Sequence, residues 1–120
     1  MKTTIKSQRQ LRVGEQIKHL ISEVIMLGDF KSPEIREILI TVTQVNISPD
    51  LKNAKVFVIS QNKRNIIKFL NEERFFFQNQ IAKKLTLKNV PKINFYLDET
   101  FDYANNIEKL LKDSKVIKDL

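Results

Sequence analysis

The chain has 120 residues and a mass of 14.1 kDa, a length that fits one domain around a single core. It carries no cysteine, one histidine and no tryptophan, which excludes disulfides, thiolate metal sites and thiol nucleophiles. Twenty-one Lys+Arg stand against 14 Asp+Glu, for a net charge of +7 and a pI near 9.7. Such a surplus on a small domain points to a polyanionic partner, nucleic acid first.

Hydrophobic residues at 42% suffice for a globular fold. No run approaches the roughly 18–20 apolar residues that span a bilayer, so no membrane partner is expected. Met1 to Lys6 lacks an apolar stretch after its charges, so no secretory signal is expected, and the expected setting is the cytoplasm. Glycine occurs only at Gly14 and Gly28, which excludes phosphate loops built on repeated glycines.

Residues 9–27 read as a helix. Val13, Ile17, Leu20, Ile21, Val24 and Ile25 form one stripe at steps of three and four, and Gly28 suits a left-handed residue just past the end. Ser32-Pro33-Glu34 predicts a short helical turn over 33–37. Leu39 to Ser48 is rich in β-branched residues and reads as a strand. Its alternation slips between Val42 and Val45, and a bulge near Thr43-Gln44 would return Ile40, Val42, Val45 and Ile47 to one face.

Ser48-Pro49-Asp50 is turn chemistry. Ala54 to Ser60 follows as a strand with apolar residues on both parities, the pattern of a central strand. Residues 63–86 read as two helices that meet at a break near 72–76, where Glu72-Glu73-Arg74 interrupts the stripe. Pro91 precedes a third strand at Ile93, Phe95 and Leu97, and Asp98 to Thr100 opens a last helix through Ala104, Ile107, Leu110 and Leu111. The tail beyond Asp113 is expected to fray, leaving an ordered core over about 5–112.

Strands two and three are joined by a two-helix crossover, which makes them parallel. The fold class is therefore α+β, a three-stranded mixed sheet with helices over one face. The expected core includes Ile17, Ile21, Val42, Val45, Val56, Val58, Ile66, Ile81, Phe95 and Ile107.

Charge is unevenly spread. Residues 51–71 carry five cations and no acid, and residues 83–97 carry Lys83, Lys84, Lys88 and Lys92, again without an acid. With Arg9 and Arg12 at the start of the first helix, three basic blocks are placed to converge on one flank. Phosphate binding needs such a cluster, because each neutralised phosphate releases counterions. Arg9 and Arg12, three apart, share a helix face. Cations there oppose the helix dipole, which favours an external anion.

The order αββααβ is that of a type II KH domain. Arg9-Gln10-Leu11-Arg12-Val13-Gly14-Glu15-Gln16-Ile17, the run from Ile40 through Ile47-Ser48-Pro49-Asp50-Leu51, Ala54-Lys55-Val56-Phe57-Val58, and Ile81-Ala82-Lys83-Lys84 through Pro91 to Thr100 together resemble the ribosome-binding factor A family. Ile107-Glu108-Lys109-Leu110-Leu111 is similar to its closing helix. The resemblance covers roughly residues 5–112.

It implies one KH-like RNA-binding domain over 1–120, with a C-terminal helix added to the αββααβ core. It also implies a non-enzymatic maturation factor of the small (30S) ribosomal subunit that binds 16S rRNA, with no cofactor, acting as a monomer. Two departures stand out. The family's alanine-x-glycine kink reads Glu73-Arg74-Phe75 here, and Gln78 and Asn106 occupy places where arginine is frequent.

The RNA-binding set expected from charge and resemblance is Arg9, Arg12, Lys63, Arg74, Lys83, Lys84 and Lys88. Of Phe75-Phe76-Phe77, Phe76 is the ring expected to face solvent and to be open to base stacking. His19 has neither a cysteine nor a second histidine to share a metal. Asp98, Glu99 and Asp102 fit helix capping better than catalysis, and Ser48 has no histidine near it in sequence to activate it. The alternative from another class is a protein-interaction adaptor, whose open sheet face or edge strand docks a ribosomal protein or an assembly GTPase.

Overall fold

The computed structural model describes residues 6–28, 39–60 and 66–100. The elements run α1 (Gln8–Leu27), β1 (Ile40–Ile47), β2 (Asn53–Ser60), α2 (Ile66–Glu72), α3 (Arg74–Lys84) and β3 (Lys92–Leu97). This is the type II KH order. The expected turn over 33–37, Lys63, Ile107 and all but the first residues of the last helix lie outside the described residues.

α1 begins at a capping box: Ser7 Oγ accepts the Gln10 N–H at 3.1 Å, and the Gln10 side chain accepts the Ser7 N–H at 2.8 Å. It ends at Gly28, whose φ of 70° closes the helix with bonds to Val24 and Ile25 carbonyls. The expected stripe is the buried face, with Val13, Ile17, Leu20, Ile21 and Val24 in the core and Ile25 packed at its margin.

β2 lies between β1, its antiparallel partner, and β3, its parallel one. The ladder slips between Val42 and Gln44, so Val42 faces Val58, Val45 faces Val56 and Ile47 faces Ala54. The extra residue is Thr43. The bulge puts Ile40, Val42, Val45 and Ile47 on the helix-covered side, as the broken alternation required. The Thr43 hydroxyl donates to Asp98 Oδ2 and lies 3.2 Å from the Phe57 carbonyl. Asp98 is buried, so this carboxylate reaches across to the bulge as well as standing at a helix start.

α1 approaches β1 at Gly14, where an added Cβ would lie 3.0 Å from the Val45 carbonyl oxygen. α2 and α3 lie against β3. Phe77 meets Phe95 edge-on with ring centroids 4.9 Å apart, and both are buried beside Ile66, Leu70 and Ile81.

The outer edge of β3 is closed by side chains. Lys92 and Asp98 donate their N–H groups inward, to the Lys52 and Val58 carbonyls of the β2 side, so the backbone N–H groups of the odd-numbered residues point to the outer edge. There the Ile93 N–H donates to Gln78 Oε1 at 3.0 Å. The Phe95 N–H donates to Asn71 Oδ1 at 2.8 Å, and Asn71 Nδ2 donates back to the Phe95 carbonyl at 3.2 Å.

Two stability outcomes follow from this packing. Val56→Ala, at a fully buried position of the central strand, should cost about 1–3 kcal/mol through lost burial and a cavity, read as a lower denaturant midpoint with unchanged slope. Asn71→Leu keeps the volume but leaves the Phe95 N–H and carbonyl without partners. It should cost about 1–3 kcal/mol, whereas Asn79→Leu, at an exposed position of α3, should change the midpoint little.

Candidate nucleic-acid interface

Gln10 sets where the basic start of α1 lies. Its buried amide donates to the Ile47 carbonyl at 2.9 Å and pins the first helical turn to the end of β1. Arg9 thereby faces the β1–β2 turn. That turn is built by Ser48, whose carbonyl accepts the Leu51 N–H at 2.9 Å and whose hydroxyl accepts the Asn53 N–H at 3.0 Å. Asp50 Oδ1 takes the Ser48 hydroxyl at 2.6 Å and the Lys52 N–H at 3.0 Å. These bonds hold Leu51 at a φ of 62°, a left-handed conformation uncommon for a bulky side chain.

A groove of about 240 Å³ opens here, lined by Arg9, Val13, Asp50, Leu51, Leu87, Lys88, Asn89 and Pro91. It brings Arg9 and Lys88 together from distant parts of the chain. Lys83 and Lys84 occupy the last turn of α3, just before this loop, and both are exposed. Their charge complements the carbonyl end of the helix dipole. Arg12 is exposed on α1, one turn beyond Arg9.

Arg74 stands apart from this cluster. It lies at the opposite end of α3 from Lys83 and Lys84, in a second groove of about 390 Å³ with Phe75, Gln78, Lys92, Ile93 and Asn94. Eleven helical residues separate the two ends by about 15 Å. The guanidinium carbon of Arg74 lies 5.2 Å from the centre of the Phe75 ring. The expected flank is therefore two basic grooves, and Lys63 lies outside the described residues.

The helix break is made at Glu73 without glycine geometry. Glu73 has φ −101° and ψ 15°, and among the described residues Leu51 is the only non-glycine with positive φ. Phe75 is an ordinary residue of the first turn of α3 and is 62% exposed, whereas Phe76 is half-buried and Phe77 fully buried. The ring open to solvent is thus Phe75 and not Phe76, because Phe76 leans on Phe77, with ring centroids 5.8 Å apart.

Sequence reasoning missed two charged residues of these grooves. Lys92 was visible as part of an acid-free block, but its place depends on the parity of β3. Asp50 read only as a turn former. It is indeed that, and it also puts a carboxylate in the groove that Arg9 and Lys88 line. The Ser48 hydroxyl, followed by the Lys52 N–H, lowers the Asp50 pKa below the ordinary carboxylate range. His19 is exposed and lies 3.1 Å from Glu23 Oε1, one turn along the helix.

The profile of the ribosome-binding factor A family matches residues 9–111. The chain belongs to the ribosome-binding factor A family. It is 42% identical over 117 residues to ribosome-binding factor A of Rhodopseudomonas palustris strain BisB18, covering 95% of this chain and 85% of that protein. With the protein of that name from Bradyrhizobium diazoefficiens it shares 39% identity over 117 residues, covering 95% of this chain and 81% of the relative.

The fold agrees. The crystal structure of ribosome-binding factor A from Thermus thermophilus superposes with a TM-score of 0.63 at 18% identity, covering 73% of this chain and 94% of that one. The solution structure of a Thermotoga maritima protein described as a putative ribosome-binding factor A gives a TM-score of 0.61 at 26% identity, covering 78% and 91%. Within this family member, Gln78 is committed to the edge of β3, so the second groove draws its positive charge from Arg74 and Lys92.

The turn at Asp50 generates a pH outcome. A carboxylate whose pKa is depressed on folding adds stability above its unfolded pKa and loses it as pH falls through the folded value. Acidification from pH 5 to below the ordinary carboxylate pKa of about 4 should therefore destabilise the native chain more than Asp50→Asn. Thermal melts of the two proteins across that range check the sign.

Proposed function

We propose that this protein is a non-enzymatic assembly factor of the small (30S) ribosomal subunit that docks on 16S rRNA during its maturation. It acts in the cytoplasm as a monomer and needs no cofactor. The observation that carries this reading is the convergence of Arg9 and Lys88 on one groove, with Lys83 and Lys84 on the preceding helical turn. Family membership gives that cluster its context. A homology model of the Thermus thermophilus relative has been fitted into a cryo-EM map of a 30S complex, and it shares this fold with a TM-score of 0.58.

The docking is electrostatic and reads the shape and phosphates of folded RNA more than its base sequence. Arg9, Arg12, Lys83, Lys84 and Lys88 supply the principal contact, Arg74 extends it into the second groove, and Lys63 belongs to the same set by charge. Base readout through the β3 backbone, and strand addition by a protein partner at that edge, both require groups that Asn71 and Gln78 already occupy.

Replacing Lys83, Lys84 and Lys88 together with glutamine removes three exposed charges and leaves the core stripe at Ile81 untouched. Stability should hardly move. Affinity for immature small subunits should fall, and the slope of log affinity against log salt should become shallower by roughly one unit per lost phosphate contact. The comparison triple is Lys109, Lys112 and Lys115 to glutamine, in the acid-balanced C-terminal segment outside the described residues. It changes net charge equally and should leave binding nearly intact. Equal losses from the two triples would mean diffuse attraction and would overturn the assigned surface.

A further inference from the structure

The face of the sheet turned away from the helices carries its own pattern. Its outward positions form cross-strand rows: Gln44, Phe57 and Tyr96 in one, Asn46, Lys55 and Asn94 in the next, and Asn53 with Lys92 in a third. The three strands contain two lysines and no Asp or Glu. Phe57 and Tyr96 lie with ring centroids 5.7 Å apart and planes inclined by 31°. Tyr96 is 41% exposed. Lys55 holds its Nζ 5.9 Å from the centre of the Tyr96 ring, and Lys6 donates to the Asn46 amide oxygen at the margin of the face. The carboxylate just beyond β3, Asp98, is buried against Thr43.

We propose that this open face is a second RNA site, which takes a single-stranded segment by stacking an unpaired base on Tyr96 and Phe57 with its phosphates on Lys55 and Lys92. Four features argue for that occupant. Single-strand binders combine rings for the bases with cations for the backbone, and here both sit on neighbouring rows of one rigid sheet. Amides at Gln44, Asn46 and Asn94 flank the rings with paired donors and acceptors, which suit base edges. Strands that carry no acid among the described residues suit a polyanion, whereas lysine is depleted in the buried centres of protein interfaces. Lys55, long and exposed, covers the Tyr96 ring when no base is there and transfers to a phosphate when a base displaces it. The site shares Lys92 and Asn94 with the second groove but none of the residues of the principal cluster at Arg9, Lys83, Lys84 and Lys88, and it does not depend on the docking proposed there.

The test uses the full chain and two probes, hexauridylate and hexaadenylate. The chain has two tyrosines, Tyr96 and Tyr103, so in a Tyr103→Phe background the only tyrosine ring resonances are those of Tyr96. Stacking should move these protons upfield on titration with either oligonucleotide. Tyr96→Leu should weaken oligonucleotide binding by about tenfold, the scale of one base–aromatic stack, and Tyr96→Phe should retain it. The triple glutamine variant at Lys83, Lys84 and Lys88 should keep the oligonucleotide response while losing affinity for small subunits, which separates the two sites. If the Tyr96 ring protons do not shift with either probe, or if Tyr96→Leu binds as the native chain does, the proposal falls. Weaker binding of Tyr96→Leu to ribosomal particles, with no response to either oligonucleotide, would assign the face to a protein partner and overturn it equally.

Discussion

The extra residue in β1 couples the packing of the core to the placement of charge. Strict alternation from Ile40 would turn Val45 and Ile47 toward solvent, because a single-residue shift inverts every later side chain. With Thr43 bulged out of the ladder, both residues return to the core side. The Val45 carbonyl then meets α1 at a distance only Gly14 permits, and the Ile47 carbonyl accepts the Gln10 amide. That bond seats the first turn of α1 over the β1–β2 turn and brings Arg9 to the groove it shares with Lys88. The same bulge fixes the solvent face, since it puts Gln44, and not Thr43, in the row with Phe57 and Tyr96. A local irregularity thus sets both basic surfaces.

Much of this was legible from residue pattern. The apolar stripe of α1, the slipped alternation of β1 and the double-parity run of β2 each have one economical physical solution, and the structure adopts them. The helix break was legible too, because Glu72-Glu73-Arg74 puts charges where the stripe needs apolar groups. Side-chain direction was less readable. Which of three consecutive phenylalanines faces water depends on the phase of α3 relative to β3, and that phase is set by the edge-on contact of Phe77 with Phe95. Local sequence carries no record of a contact made across eighteen positions.

The candidate site was legible as composition and not as geometry. Acid-free blocks picked out a set of lysines, yet a block is a stretch of chain, and the structure distributes it over surfaces. Lys83, Lys84 and Lys88 go to the helical flank, whereas Lys92 turns with the parity of β3 toward the second groove and the open face. Asp50 shows the converse. A carboxylate that reads as turn chemistry also lies in a basic groove, where its bonds to Ser48 and Lys52 lower its pKa. Its negative charge offsets part of the positive charge that Arg9 and Lys88 bring to the same groove.

The departures from the family pattern fit together on physical grounds. An alanine-x-glycine kink leaves backbone open to a phosphate; Glu73-Arg74-Phe75 instead puts a cation and an exposed ring at the same place. An arginine at position 78 would bring charge to the second groove but would lack an acceptor for the Ile93 N–H, because a guanidinium only donates. Glutamine supplies that acceptor and closes the edge of β3. With Asn71 it leaves this strand no outward N–H at Ile93 or Phe95 for a base or an added strand to use. What remains available along β3 is side chains: Arg74 and Phe75 on the helical side, Lys92 and Asn94 at the rim, Tyr96 on the open face. Contacts made through such groups attract phosphate and accept any base with a π-face, which is the chemistry that the proposed RNA docking calls for.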